Sequence, residues 1–551
     1  MELAYRKNDN TQLVRSLAEH ECLKLHSVQN YLPIYERFFA LSDTTFNSIN
    51  LDSHFTLSRI LHADTQNLCQ AIVSDRSGGV QEKSAFIKFT PLLDPVKYML
   101  GKYDSSEAGL MALPGRDTVS SEKASDPNNA AYVDALANHL VSQLLHRHGF
   151  VNGIDCYGLF LGVKPRLQVD VRDDIDYLCD SKFFHDNQGK LFSLSSEFRD
   201  ALMNYDTRCY KKRVSIGDDA PEGLDVEPLA SGIGDASQEM LGGTPEVMFE
   251  FEGDEAAGRP SRSRSTSSCS SRSSYTDPES PASSGGSSIS DCSTATDDAV
   301  GAVLHSFPVQ VIALERCDQT LDSLLARGSL SDRELTSMVA QVAFSLVVLQ
   351  RTISLTHNDL HTNNIMCVRT DKKYIVYKFG GSYYKVPTFG KIYKIIDFGR
   401  AIYKLNGVLV CSDSFHRKGD AATQYNCEPY FDERKPRIEP NRSFDLCRLG
   451  CSMYDFLVED VSDEMRGLSE IERIIVGWCH DDKGRNVIYK SSGQERYPEF
   501  KLYKMIARSV HGHTPESVVK NPHFSAYIVG RKATKRCGSV VDIDGLPSYA
   551  G

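Results

Sequence analysis

No C-x-x-C pair occurs among the fifteen cysteines of this 551-residue chain. Most zinc ligand sets and compact disulfide frameworks use such spacing, so neither is expected, and scattered thiols fit a reducing compartment. Positive charge is also in short supply: the formal net charge is −11, which argues against phosphate-backbone binding and predicts no nucleic-acid partner. Nor is there an apolar run long enough to cross a bilayer. The longest, around VAQVAFSLVVL (339–349), falls short of the roughly 20 residues a span needs, so no membrane association is expected. The opening MELAYRKNDN has no apolar stretch of the kind a secretory signal carries, and a soluble, intracellular protein is the expectation. No internal repeat is visible.

What is present is enough to fold. Hydrophobic residues make up 41% and charged residues 25%, typical of globular chains, and the length suits two or three units. Residues 1–50 carry helix-like periodicity at Leu13, Leu17, Tyr35, Phe38 and Phe39, and read as a helical extension. From Phe55 the pattern alternates: FTLSRIL, NLCQAIV and SAFIKF read as short antiparallel strands, with RSGGV turning between the last two. Residues 126–147 read as an amphipathic helix on Ala131, Ala135, Leu136, Leu140, Leu144 and Leu145, and the strand pattern IDCYGLFLGV follows.

Composition then shifts. Residues 165–304 read as an insertion, acidic and glycine-rich over 215–257, then dominated by serine with Arg262, Arg264 and Arg272 interleaved. Such a segment cannot bury enough apolar surface to offset its chain entropy, so most of it is expected to be a disordered linker that protein kinases could modify. Globular pattern resumes over 305–530. There SDRELTSMVAQVAFSLVVLQ has a capping box, Ser331 with Glu334, and an apolar stripe of Leu335, Met338, Val339, Val342, Leu346 and Leu349. Residues 531–551 read as a flexible tail.

The stretch THNDLHTNNIM (356–366) concentrates histidine, aspartate and asparagine just after that helix. Phosphoryl transfer from ATP needs a carboxylate to receive the acceptor's proton, a second carboxylate with an amide oxygen to hold Mg²⁺, and a lysine on the phosphates. Asp359 and Asn364 stand five apart, and KIIDFGRA (394–401) presents Asp397, Phe398 and Gly399 after an apolar strand. The order H-x-D-x-x-x-x-N and then D-F-G resembles the catalytic core of eukaryotic-type protein kinases. That resemblance makes Asp359 the base, Asn364 and Asp397 the Mg²⁺ ligands, and His357 a scaffold behind them. It implies a two-lobed α+β fold binding ATP between the lobes, with 51–164 the first part of the N-lobe and 305–530 the fifth strand, hinge and C-lobe.

Further positions follow from the same resemblance. Lys88 in FIKF (86–89) matches the lysine that holds the phosphates, and Val73 joins the nucleotide-binding set. Asp134 is the acid well inside the 126–147 helix, with Asn138 one turn on; the usual residue is glutamate. VQVIALERCD (309–318) matches the strand entering the hinge, placing Leu314 before it and the backbone of Glu315 and Cys317 on the adenine edge. SFDLCRLGCSMYDFL (443–457) resembles the buried helix that begins D-x-W-S-x-G, and Asp445 would brace the catalytic loop through its backbone amides. LLDPVKYMLGKY (92–103), NNAAYVDAL (128–136), YKVPTFGKIYKIIDFGRAIY (384–403) and EPNRSFDLCRLGCSMYDFL (439–457) look like kinases of large cytoplasmic DNA viruses, the iridovirus branch above all. This implies serine/threonine specificity, viral or host protein substrates, the host cytoplasm and packaging in the virion.

The chain also departs from the pattern. No glycine occurs in HADTQNLCQA (62–71), where a phosphate-covering loop belongs, and Gly232-Ile233-Gly234 lies in the acidic linker with no strand before it. Asn358 replaces an arginine that commonly binds an activation-loop phosphate, so activity without that phosphorylation is expected. His361 replaces a lysine, giving the γ-phosphate less charge. No A-P-E triplet follows D-F-G. Plainer readings exist beside these: a snorkelling lysine for Lys88, an Asx-rich turn for Asp359 and Asn364, a solvated helix residue for Asp134, and core packing for Cys447 and Cys451. HNDL and DLH also resemble choline kinases and aminoglycoside phosphotransferases, and the glycine-free loop fits a catalytically silent scaffold.

Overall fold

The computed structural model describes residues 1, 3–6, 9–104, 109–171, 174–195, 301–535 and 537–551, all within one compact unit. The fold is α+β, helices and sheets mixed along the chain. The acidic and serine/arginine-rich stretches of the insertion lie outside the described residues.

The principal sheet has seven strands: β1 His26–Gln29, β2 Phe55–Ala63, β3 Leu68–Asp75, β4 Val80–Pro91, β5 Cys156–Asp170, β6 Phe192–Leu194 and β7 Gly301–Glu315. They run antiparallel in the order β1-β5-β7-β4-β3-β2, with β6 also paired to β7. Side chains alternate between faces. Ala71, Val73, Ala85, Ile87, Val311 and Ala313 share one core with Leu13 and Leu17 of α1, Thr11–Glu19. Ile312 and Leu314 face the other way, into a core with α2, Ala130–His148. Helix α2 starts at Asn129, whose side chain accepts from Ala131 N–H, and stops at Gly149 with φ +64°. It is buried from Ala131 through Leu144 on every side. Its polar residues therefore need partners inside the fold.

The second region begins past Glu315. Helix α3, Asp332–Ile353, has the capping box of Ser331 and Glu334. It is long and apolar enough to cross a membrane, yet it is buried in the core of the fold. Around it lie a three-stranded sheet, β8 Gln319–Thr320, β9 Ile365–Arg369 and β12 Lys391–Ile395, and a four-stranded one containing β10 Tyr374–Phe379 and β11 Ser382–Pro387. Helices α4 Phe444–Leu457, α5 Glu470–Gly477 and α6 Lys501–Ser509 complete it.

Three expectations about organisation change. Residues 1–50 hold one α-helix rather than a helical extension: Tyr5–Arg6 pairs with Asn50–Leu51, and β1 joins the main sheet. Tyr35 belongs to a 3₁₀ turn, Pro33–Arg37, whose tight repeat imitates helical spacing. The insertion does not begin at 165, because β5 and β7 stay paired out to Asp170 and Gly301. The tail is not loose. Val540–Asp542 pairs in parallel with β10, Val541 and Ile543 are buried, and Tyr549 N–H donates to Thr352 O at 2.5 Å.

Candidate active site

Strand β4 aims Lys88 at the face that carries α2. There its ammonium lies 2.8 Å from Asp134 Oδ2 and 3.0 Å from Asp397 Oδ1, with all three side chains buried. Asp134 Oδ1 accepts from Phe398 N–H at 2.7 Å and from the Asn138 amide at 2.9 Å. Helix, strand and D-F-G are thus tied at one carboxylate, and Asp134 is no solvated surface residue. Burial pushes the Asp134 carboxyl up, against the pull of Lys88. At Asp397 burial also opposes ionisation, but the lysine prevails and holds the carboxyl below its usual range. One ammonium serves two carboxylates, and Asp397 Oδ2 is buried without a hydrogen-bond partner. An orphaned anionic oxygen of this kind fits a hard divalent cation. Among the described residues no cluster of three or more His, Cys, Asp or Glu could hold a metal, so any cation here would take few side-chain ligands and draw the rest from phosphate and water.

The residues of the stretch 356–366 arrive from the end of α3. Asp445, buried in the first turn of α4, accepts from the N–H groups of His357 at 3.0 Å and Asn358 at 2.9 Å. His357 Nε2 lies 2.9 Å from Ile396 O, which links the loop to the strand before D-F-G. Asn358 and Asp397 both adopt left-handed backbone, φ +66° and +64°, which asparagine and aspartate tolerate best among non-glycine residues. Asn358 is buried. Its amide donates to Arg400 O at 2.9 Å, and its oxygen accepts from the Tyr425 hydroxyl at 2.8 Å. Asn364 donates to Asp359 O at 2.9 Å, which places the metal-ligand candidate beside the base candidate.

Val73 sits elsewhere, and His361, Glu315 and Cys317 have surroundings the motifs do not show. Val73 lies opposite Leu57 and Gln81 on the α1 face of the sheet, away from Lys88. A shift of one residue in a strand reverses the face: Gln70 and Ile72, paired with Ser84 and Glu82, share the face of Phe86 and Lys88. His361 does not project as a charged contact. Its Nδ1 accepts from Asn363 N–H at 3.3 Å, its Nε2 lies 3.1 Å from Asn364, and burial lowers its pKa to about 4. The imidazole is neutral and holds the turn of Asn364. Glu315 ends β7 with its N–H bonded to Asp155 O at 3.0 Å and its carboxylate held by Lys394 and Asp155 N–H. Cys317 is buried, and burial drives its thiol pKa upward.

The glycine-free turn is closed on itself. N–H groups of Asp64 and Thr65 donate to Leu68 O, while those of Asn67 and Leu68 donate to Thr65 Oγ1. Asn67 is stapled to Ile87, beside Lys88, through its side-chain amide at 2.8 Å and its carbonyl at 2.6 Å. Where A-P-E is missing, Asn426 closes the segment. Its amide donates to the carbonyls of Asp432, Lys435 and Pro436, and its oxygen accepts from Asp432 N–H. Cys447 is a buried core thiol.

Several residues that the motifs do not flag surround Asp359. Tyr503 on α6 donates to Asp359 Oδ1 at 2.8 Å and accepts from Arg448 Nε at 2.8 Å. Arg400 lies 3.9 Å from Asp359 Oδ2 and 2.5 Å from Asp420. Burial works against the charge of Asp420, yet Arg400 holds its carboxyl below the usual range. Asp413 accepts from Ala130 N–H at 3.0 Å and pairs with Lys123, which joins the segment after D-F-G to the start of α2. Arg448 carried a signal, since it occupies the serine position of D-x-W-S-x-G; Tyr503 carried none. No protein-family model matches the chain, and no curated protein matches it significantly.

Proposed function

We propose that this chain is a serine/threonine protein kinase of two-lobed fold, transferring the γ-phosphoryl group of ATP to protein hydroxyls. The reading rests on two pairs, Lys88 with Asp397 and Asn364 with Asp359, whose segments are joined where Ile396 N–H donates to Asn364 O at 3.0 Å. The principal sheet with α2 would form one lobe and the region beyond Glu315 the other, with adenine meeting the backbone of Glu315 and Cys317. Lys88 would hold the phosphates. Asn364 and Asp397 would hold Mg²⁺, which supplies counter-charge to the phosphate oxygens. The acceptor oxygen bonds to the γ-phosphorus as the bond from that phosphorus to the bridging oxygen breaks. ADP leaves with the electron pair, and Asp359 takes the acceptor's proton. Likeness to the viral kinases supports viral or host protein substrates, the host cytoplasm and a place in the virion.

One observation favours a second reading, a silent scaffold: most amides of the turn at 64–67 are engaged within the turn and offer phosphate little. Labelled ATP and Mg²⁺ incubated with the purified chain and casein, histone or choline separate the cases. Label on protein supports the kinase. Label on choline alone supports a small-molecule phosphotransferase, and no transfer supports the scaffold.

A further inference from the structure

Asp445 and Asn364 bond the backbone around Asp359, and Tyr503 bonds its carboxylate. A base that rotates about its last torsion loses the aim on which proton transfer depends. We infer that Tyr503 is a positioning residue for Asp359, locked in place by Arg448; this rests on the kinase reading and deepens it.

The direction of the contact is fixed. Arg448 has only donors, so its Nε–H must donate to the phenolic oxygen, and the phenol's own proton is then left for Asp359 Oδ1. Burial drives the phenol's pKa upward, so it keeps that proton across the working pH range. The ring cannot swing. It stacks on Phe500 at 5.3 Å and shares a core with Phe444, Ile506 and Ala507, while the guanidinium groups of Arg448 and Arg400 lie 5.0 and 5.7 Å from its centre. A gate that lifts away from the base would need looser packing than this. The contact is also a cross-link: Tyr503 stands 144 residues from Asp359, on a helix without a recognised kinase motif.

Tyr503→Phe keeps the ring and removes the proton. The expected result is a kcat lower by about 10- to 100-fold, as misaligned groups give, with KM for ATP within about twofold of native. Arg448→Met should reproduce the loss, and the double variant should lose no more than either alone, because both act through one hydrogen-bond chain. Should Tyr503→Phe fail to fold, Arg448→Met carries the test. An unchanged or raised kcat in a folded Tyr503→Phe protein overturns the inference, a rise showing that Tyr503 blocks the base. If the native chain transfers no phosphate to any acceptor, the kinase reading fails and the inference with it. A double-mutant cycle of Asp359→Ala and Tyr503→Phe in thermal unfolding then shows whether the contact itself exists. Coupling between the two confirms the contact without the reaction, and strict additivity denies both.

Discussion

The loop at 357–364 and the turn at 64–67 are held in different ways. In the loop, internal bonds such as Asn364 to Asp359 O are joined by many that reach distant elements: two amides to Asp445, an imidazole to Ile396, an asparagine to Arg400 and Tyr425. Distant elements hold its backbone and several of its side chains. In the turn, apart from the staple of Asn67 to Ile87, the backbone amides are taken up locally by Thr65 and Leu68. Under the proposed function, the grip on the nucleotide would fall to Lys88 and a cation at Asp397 rather than to the amides of this turn.

The comparison breaks most readily at Asp445. Asp445→Ala leaves two buried amides without acceptors, at about 1–3 kcal/mol each. It is expected to destabilise the protein by about 2–5 kcal/mol in chemical denaturation and to raise hydrogen exchange in the loop while the turn stays protected. Equal loosening of both segments would show that they are not independently braced.

A smaller effect separates them by pH. His361 is buried, and burial lowers its pKa from the ordinary histidine value near 6.5 to about 4, whereas the turn at 64–67 contains no histidine. The unfolded chain then binds a proton at His361 that the folded chain refuses, so this contribution is complete above pH 6.5 and is lost as pH falls towards 4. Between pH 7 and pH 5 the native protein should lose about 1–2 kcal/mol more stability than His361→Asn. Equal losses would show that the imidazole is not held neutral.

Much of the fold was legible because its signals are local. Alternation in FTLSRIL and NLCQAIV became β2 and β3, and the box of Ser331 and Glu334 began α3. The motifs named residues that the fold brings together: Lys88, Asp134, Asp359, Asn364, Asp397 and Asp445. What failed depended on matters a local pattern does not carry. Val73 was misplaced because one residue of register reverses a strand's face. The buried role of Asp134 was hidden because an amphipathic pattern does not reveal that α2 is enclosed on every side. The tail was read as loose because its strand exists only where β10 receives it. Tyr503 lay beyond reach, since its pairing with Asp359 is made by tertiary packing alone.

The account stands or falls on Asp359. Single-turnover transfer from Mg²⁺·ATP to a protein acceptor, with ATP binding measured on the same samples, compares the native chain with Asp359→Asn. Binding should be unchanged and transfer slower by about 10²- to 10⁴-fold, as loss of a positioned base gives. Equal transfer rates in the two proteins would contradict the central claim.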